Sequence, residues 1–394
     1  MASLPSFHPF ESEEARALAN LRTYYEQWVA AARVLETRLK GSLRWKTVAG
    51  KQYLYHRVSS NPLIDNSLGA RNAQSEAHML RFTREKAETR MRHDRARAES
   101  ARFARILAAL GASMVDRQAA AVLRHLDLKE MLGGLLLVVG TNAMAAYETL
   151  AGGRIFRGYD ATQDFDLTWR GAGPLQLAAG VREGGPPATL LTTLREVDKL
   201  YTVNTERPFQ ATTGKYEVEF LAAPSTIRSF PFAKDDIAPL GDLREQEWLM
   251  LGTPLRQIVA AADGSPAPVA APDPRWMALH KLWLSQKPKR AALKKPKDEA
   301  QGLLLLRAVI ETMPGYPLDE AFIAQVEEEL RPYLHMGVKW ARENPSGAEV
   351  EGGDAFARPL EVDADAWKKI RRFDLREPAY VKYEAKPARK ARRG

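Results

Sequence analysis

A short apolar run places the first constraint on the fold. Residues Leu135–Val139 are uninterrupted aliphatic side chains with glycines on both sides. The run is far shorter than the roughly 20 residues that a membrane-spanning helix needs. A continuous apolar segment of this length between glycines is typical of a strand buried on both faces. Because Gly140-Thr141 and then Asn142–Leu150 follow, we expect this strand to pass through a glycine turn into a short helix.

Such a turn can bind phosphate. The first N–H groups of a helix lack partners within the helix and the helix dipole is positive there, so anions bind at that end. Gly140 would let a phosphate approach the backbone, and Thr141 or Asn142 could cap the helix and donate a hydrogen bond. Strand–glycine–helix turns also occur without any ligand. This turn therefore indicates a phosphate site only if a second functional motif accompanies it.

Two aspartates supply that second motif. Residues 162–169 are Thr-Gln-Asp-Phe-Asp-Leu-Thr-Trp. Side chains alternate along a strand, which places Asp164 and Asp166 on one face and Phe165 and Leu167 on the other. Aspartate is disfavoured in strands, and paired carboxylates suit a hard cation such as Mg²⁺. The alternative is that both aspartates are solvated on an exposed face.

A later strand offers a third acid. In residues 215–221, Tyr216, Val218 and Phe220 alternate with Glu217 and Glu219. If this strand lies beside the aspartate pair, one glutamate completes a set of three carboxylates. Glu219 is the preferred candidate because apolar residues flank it, and Glu217 stays open because it shares the same face. A half-buried strand with a charged outer face would show the same pattern.

The order of these motifs resembles that of the DNA polymerase β-like nucleotidyltransferase superfamily. The motifs are Gly140-Thr141, then Asp164-Phe165-Asp166, then a single acid in a later strand. The stretch Leu137–Leu167 is similar to a bacterial group of nucleotidyltransferase-fold proteins, which has a Gly-Thr-Asn-Ala helix start and a Thr-x-Asp-x-Asp strand. That similarity covers roughly residues 15 to 335. The chain departs from the superfamily in having Thr141 instead of serine, a longer gap before Asp164 and a glutamate as third acid.

The resemblance implies an enzyme that transfers a nucleoside monophosphate from a nucleoside triphosphate (NTP) to an acceptor and releases pyrophosphate. Asp164 and Asp166 would ligate two Mg²⁺ (or Mn²⁺) ions, and Glu219 would hold one of them and help to remove the proton of the attacking group. The turn at Gly140, Thr141 and Asn142 would bind the phosphates, and Lys281 would reach the triphosphate. RNA or protein is the expected acceptor. The alternatives are a catalytically silent nucleotide- or RNA-binding protein on the same fold, and a toxin- or defence-type nucleotidyltransferase.

Composition and short motifs exclude several kinds of chemistry and indicate which segments could bind a partner. The absence of cysteine excludes disulfides, thiolate catalysis, zinc ribbons and iron–sulfur clusters. Neither a phosphate loop of the Gly-x-x-x-x-Gly-Lys type nor a His-Glu-x-x-His zinc motif is present.

The net charge of +9 is concentrated in three segments, which could contact RNA or simply be solvated. They are the arginine-rich helix Arg71–Arg105, Lys287–Lys297, and a C-terminal tail, Lys382–Gly394, that is expected to be disordered. We expect no membrane contact and a cytoplasmic location.

The expected fold is α+β, with a polymerase β-like mixed sheet and flanking helices. We predict an N-terminal region of helices and a β-hairpin over residues 1–115, a catalytic domain over 116–262, a C-terminal helical domain over 263–345 and an extension over 346–394. Shorter patterns predict a loop at Pro62–Gly69, strands at Trp248–Leu251 and Pro268–Ala271, a linker or domain boundary over Ala262–Pro274 and one helix at Leu318–Leu334.

Overall fold

The structure, a computed structural model, describes residues 7–60, 63–156, 158, 164–171, 189–230, 236–346 and 364–373. The tail Lys382–Gly394 lies outside the described residues. The helices are α1 (Ser12–Glu36), α2 (Ala73–Ala109), α3 (Arg117–Leu128), α4 (Met144–Ala151), α5 (Leu190–Val197), α6 (Pro224–Ile227), α7 (Gln246–Leu249), α8 (Pro274–Ser285), α9 (Lys295–Thr312), α10 (Glu320–Gln325), α11 (Arg331–Glu343) and α12 (Ala364–Ile370). The strands are β1 (His8–Pro9), β2 (Ser42–Val48), β3 (Lys51–Ser60), β4 (Leu63–Ala70), β5 (Met114–Val115), β6 (Leu136–Val139), β7 (Gly153–Arg154), β8 (Asp164–Trp169), β9 (Thr202–Val203), β10 (Gln210–Thr212), β11 (Glu217–Ala222), β12 (Leu255–Ala261) and β13 (Pro266–Ala271).

A five-stranded mixed sheet forms the centre of the described molecule. Its strand order is β6-β8-β11-β10-β9, and the single parallel pair is β8 with β11. All four residues of β6 are buried, as the continuous apolar run predicts. On β8 the apolar positions Phe165 and Leu167 are fully buried, and so are Val218 and Phe220 beside them on β11. The mixed α+β fold expected from the sequence is confirmed.

Capping residues in the local sequence determine where helix α3 begins and where helix α4 ends. The side chain of Asp116 accepts hydrogen bonds from the N–H groups of Gln118 and Ala119, which caps α3. Gly152 ends α4 in the left-handed conformation, with φ +70°. None of the helices in the described ranges is both long enough and apolar enough to cross a membrane.

The N-terminal region is a pair of antiparallel helices carrying a small sheet. Helices α1 and α2 pack along each other, and β2, β3 and β4 form an antiparallel sheet between them in sequence. The predicted hairpin is confirmed, with its turn at Ala49-Gly50, where both residues have positive φ. The loop predicted at Pro62–Gly69 is wrong, because residues 63–70 form β4 against β3. Asn, Ser and Gly make this stretch resemble a loop, and pairing with β3 overrides that local preference.

The chain after β11 corrects three further predictions. The linker predicted at Ala262–Pro274 is wrong over residues 266–271, which form β13 with every residue buried, and the strand predicted at Pro268–Ala271 is confirmed. The prolines of β13 are tolerated because it lies at a sheet edge. The strand predicted at Trp248–Leu251 is the helix α7 instead, since a short apolar run does not distinguish the two. Pro332 starts α11 as a new helix, so Leu318–Leu334 is not one helix.

One hydrophobic core joins the central sheet to the C-terminal helices. It runs from Val115 through the strands to Leu279, Leu305 and Ile370. A second cluster, which includes Leu21, Leu107 and Ile258, attaches α1 and α2 to β12. The core therefore crosses the predicted limit between residues 262 and 263, and the domain limits themselves stay a prediction.

Candidate active site at the β6 turn and strand β8

The glycine turn and the second aspartate of the sequence motif meet. Val139, the last residue of β6, lies opposite Asp166 in the antiparallel ladder with β8. Gly140 follows with φ +71°, and a β-carbon built on it would lie 2.5 Å from Oδ2 of Asp166. Only glycine combines this backbone conformation with so close an approach. The turn and the carboxylate therefore form one surface.

The parallel pairing of β8 with β11 brings the acidic positions side by side. Asp166 lies opposite Glu219, and Asp164 lies opposite Glu217. Neighbouring strands are about 4.8 Å apart, so carboxylates at paired positions on one face are near neighbours. For Asp164 the structure describes the backbone position in β8 and not the side chain. Both predicted acid positions of β11 are thus adjacent to the aspartate strand.

Glu217 and Glu219 differ in burial and in their hydrogen bonds to a buried glutamine, Gln210. Gln210 of β10 is 1% exposed, and its Nε2 donates hydrogen bonds to Glu219 Oε1 at 2.7 Å and to Glu217 Oε2 at 3.3 Å. Its Oε1 accepts from Asn204 Nδ2 at 3.0 Å. Glu219 is half-buried, whereas Glu217 is exposed. The shorter bond and the greater burial hold Glu219 in a more defined position.

Sequence reasoning missed Gln210. Its strand β10 has only three residues and no alternating pattern long enough to detect. The one local signal is a glutamine between Phe209 and Ala211, and such a residue is common at a surface. Its role becomes visible only through the register of β10 against β11, which places Gln210 opposite Glu219.

The turn itself is tighter than an α-helix start. Residues Gly140–Ala143 form one 3₁₀ turn that continues directly into α4. Thr141 and Asn142 are buried, at 8% and 7% exposed. Thr141 Oγ1 accepts a hydrogen bond of 3.4 Å from Nε2 of Gln301 on α9. Gly140, at the start of the turn, is half-buried.

Lys281 lies in a buried ion cluster on α8 and α9. It is 3% exposed, and its Nζ donates to Asp298 Oδ1 at 2.9 Å. Arg290 binds the other oxygen of Asp298 at 2.6 Å. Burial lowers the pKa of Lys281, and the charges of Asp298 and Asp166 oppose that shift. The observed partner of Lys281 is therefore Asp298, within the electrostatic reach of Asp166, and its contact with a triphosphate stays a prediction.

Burial shapes the titration of the neighbouring groups. Burial would raise the pKa of Asp298, but the charges of Lys281 and Arg290 outweigh it, so the pKa lies below its usual value. His280 has no hydrogen-bond partner for either ring nitrogen within the described residues. Burial, with the charge of Lys281, lowers the pKa of His280 to about 3. His280 is therefore neutral at physiological pH.

The acidic donors have the chemistry of a site for a hard cation. Carboxylate oxygens are the ligands that Mg²⁺ and Mn²⁺ prefer, and Asp166 and Glu219 occupy adjacent positions on paired strands. Among the side chains that the structure describes, no three acidic or histidine groups converge on one point. Asp164, the third group of the predicted set, is outside those side chains. The residues present fit a divalent cation.

Several cations of the two described basic segments have acidic partners. On α2, Arg84 and Arg102 form exposed ion pairs with Glu88 and Glu99. Lys287 lies 3.2 Å from the centre of the Trp283 ring and pairs with Glu329 at 3.6 Å. Contact of these segments with RNA stays a prediction.

Comparison with known proteins gives one match. The sequence model of a family described as nucleotidyltransferase matches residues 117–326, which is more than half of the chain. The matched range contains the turn at Gly140, the strands β8 and β11, and Lys281. No curated protein and no solved structure matches the chain significantly.

Proposed function

The chain belongs to the nucleotidyltransferase family, and from this premise we propose that it transfers a nucleoside monophosphate from an NTP to a hydroxyl group of an RNA or protein acceptor. The family supports a transferase of phosphorus-containing groups. The observation that carries the proposal is the contact of the Gly140 backbone with Asp166, beside Glu219. It combines a place for phosphate oxygens with carboxylates that can hold divalent cations.

In the proposed reaction, an acceptor oxygen attacks the α-phosphorus of the NTP in line with the departing pyrophosphate. The bond from that oxygen to the phosphorus forms, and the bond from the phosphorus to the bridging oxygen breaks. Glu219 accepts the proton of the attacking hydroxyl. Gln210 holds Glu219 in place through its 2.7 Å hydrogen bond, so that less reorganisation is needed during the reaction.

Asp164, Asp166 and Glu219 would hold Mg²⁺ or Mn²⁺. When bound, these ions supply charge neutralisation for the phosphate oxygens. Gly140 admits a phosphate to the backbone because it carries no side chain. Thr141 and Asn142 shape the turn from their buried positions. Lys281, in its ion cluster with Asp298, lies within electrostatic reach of Asp166 and would contribute positive potential to the site.

A label-transfer assay tests the proposal. The protein is incubated with each α-labelled NTP, with Mg²⁺ or Mn²⁺, and with total RNA or lysate protein. We expect label on one acceptor class with at least one NTP, and none with the Asp166→Asn variant. Binding of NTP without any transfer would instead identify a silent nucleotide-binding protein. Transfer to a specific tRNA or protein that arrests growth would place the enzyme among the toxin- or defence-type nucleotidyltransferases.

A further inference from the structure

We infer that the outer face of the three-stranded sheet β2-β3-β4 binds the acceptor as a single strand of RNA. This inference rests on the proposed function, for which it names the acceptor class and the place where it docks. The outer sheet face is defined by Arg44, Lys46, Lys51, Tyr53, Tyr55, Arg57 and Asp65. It differs from the segments whose basic composition alone draws attention, since it combines cations with aromatic rings.

The ladder registers divide the sheet into two faces. Arg44 lies opposite Tyr55, and Lys46 lies opposite Tyr53, so these four side chains share one face. The other face contains Leu43 and Leu54, which are buried. Its His56 meets Phe82 of α2 edge to face, with ring centres 5.9 Å apart. Helix α2 therefore packs on the inner face, and the cations and tyrosines lie on the opposite, outer face.

The outer sheet face carries a surplus of positive charge. Four cations face one acid, Asp65, which pairs with Arg44. The hydrogen bond from Arg44 and the charges of Arg44, Arg57 and Lys46 lower the pKa of Asp65. One acid cannot neutralise these four cations. A polyanion is the complementary partner.

The aromatic rings favour a single strand over other polyanions. Tyr53 and Tyr55 are two residues apart on β3, about 7 Å along the strand, and both are half-buried. The ammonium group of Lys46 lies 4.9 Å from the centre of the Tyr55 ring. Unpaired bases stack on such rings while cations beside them hold the phosphates. In a duplex the faces of the bases are already stacked on one another and cannot stack on the tyrosines, and an acidic peptide has no bases.

The position of the sheet suits a polymer. Phe82 of α2 contacts the sheet, whereas Ala104 of the same helix packs in the cluster with Ile258 on β12. At about 1.5 Å per residue, α2 rises roughly 33 Å between these two residues. The helix pair thus carries the sheet away from β12, and an acceptor held there must be extended to reach the body of the enzyme.

Fluorescence anisotropy with the full chain tests the inference without NTP. The probe is a labelled oligouridylate of about 20 nucleotides. Replacing both exposed lysines (Lys46→Ala with Lys51→Ala) is expected to lower the slope of log K against log salt by about 1.4. The matched control, Lys339→Ala with Lys368→Ala, removes the same charge elsewhere and should not change it. Circular dichroism verifies that both double variants are folded.

The aromatic variants form the second arm. Tyr53→Ala should weaken binding roughly 5- to 150-fold, and Tyr53→Phe, which keeps the ring, should bind like the wild type. Unchanged binding in the lysine pair and in Tyr53→Ala would overturn the inference. Competition by polyglutamate as effective as by oligouridylate would make an acidic protein the partner. Equal or tighter binding of oligothymidylate, or of double-stranded RNA, would remove the assignment to single-stranded RNA.

The two hypotheses fail separately. We expect Asp166→Asn to bind the RNA probe normally while losing transfer. If the wild type transfers label to a protein and does not bind RNA, the docking inference fails and the proposed function stands. RNA binding through this face without transfer of any NTP would end the proposed enzyme function alone.

Discussion

Gly140 lies directly against the carboxylate of Asp166, with only 2.5 Å between Oδ2 and the place where a β-carbon would be. The contact joins the end of β6 to the centre of β8. Any side chain at position 140 must therefore move Asp166 or the turn. A substitution at position 140 therefore tests the site directly.

We predict that Gly140→Ala will lose both NTP affinity and stability. The substitution places a side chain at φ +71°, which costs roughly 1–2 kcal/mol, and it displaces Asp166. Gly152→Ala is the matched control, because Gly152 has φ +70° and a β-carbon added there would meet nothing within 4 Å. Thermal melts should show a similar backbone cost in both variants. Titration with a fluorescent NTP should show loss of affinity only for Gly140→Ala; equal affinity in the two variants would contradict the phosphate role of the turn.

The two glutamates of β11 are expected to behave differently. Glu219→Gln should lower turnover by about 10²–10⁴-fold, because it removes the proposed proton acceptor, which lies opposite Asp166. Glu217→Gln has the same change of charge at an exposed position and should have little effect. Turnover in the label-transfer assay compares them. The reverse result would assign the role to Glu217, and two active variants would mean that neither glutamate acts in the reaction.

Gln210 is predicted to be a positioning residue. Gln210→Leu leaves Glu219 without its 2.7 Å donor while keeping a buried side chain of similar size. We expect kcat to fall about 10- to 100-fold, as for other residues that orient a site group, with little change in KM for NTP. A lower melting temperature with a normal kcat would mean that Gln210 contributes only to packing.

The cluster of Lys281, Asp298 and Arg290 should be important for stability. Asp298→Asn leaves a buried lysine without its counter-charge, which is expected to cost roughly 3–5 kcal/mol of unfolding free energy. Asp365→Asn breaks an exposed pair with Lys368 and should leave the unfolding free energy unchanged. Urea denaturation measures both. Equal stability of the two variants would show that the buried cluster contributes no more than a surface pair.

His280 gives the fold a defined acid sensitivity. Burial lowers its folded-state pKa to about 3, whereas its usual pKa is 6.5. A lowered folded-state pKa stabilises the fold above the unfolded-state value, and this contribution is lost as the pH falls from 6.5 toward 3. His280→Leu removes that titration. Between pH about 7 and about 5, the wild type should lose roughly 2 kcal/mol more than the variant in urea denaturation; parallel pH curves would contradict the buried neutral state.

The parts of the site that follow local rules could be predicted from the sequence. The apolar run of β6 and the alternation of Phe165 and Leu167 with acids are determined by neighbouring residues, and the strands formed where expected. The register of β11 against β8 places each glutamate opposite an aspartate, and only burial and the hydrogen bonds from Gln210 distinguish Glu219 from Glu217; no local pattern specifies either feature. The strand predictions therefore located the acids without determining which of them are opposite one another.

The missed features depend on contacts between distant parts of the chain. Strand β10, which carries Gln210, has three residues and exists because β9 and β11 pair with it. Lys281 has the spacing of a residue that could face a ligand, and only the packing of α8 on α9 shows that Asp298 binds it. The prolines and alanines of β13 fit a linker as well as the strand predicted at Pro268–Ala271, and pairing with β12 decides in favour of the strand. In each case tertiary packing overrides local preference.

The parallel pairing of β8 with β11 determines when the site can form during folding. Parallel neighbours cannot be joined by a tight turn, so the chain must cross back over residues 170–216 before β11 can dock. Both aspartates are synthesised well before Glu219, and a nascent chain that ends at Arg170 has the acid pair without its partner strand. Contacts of such long sequence separation form slowly, because the loop must close before pairing stabilises it. Completion of the site is therefore a late folding event, and partly folded chains should be inactive even when the N-terminal half has folded.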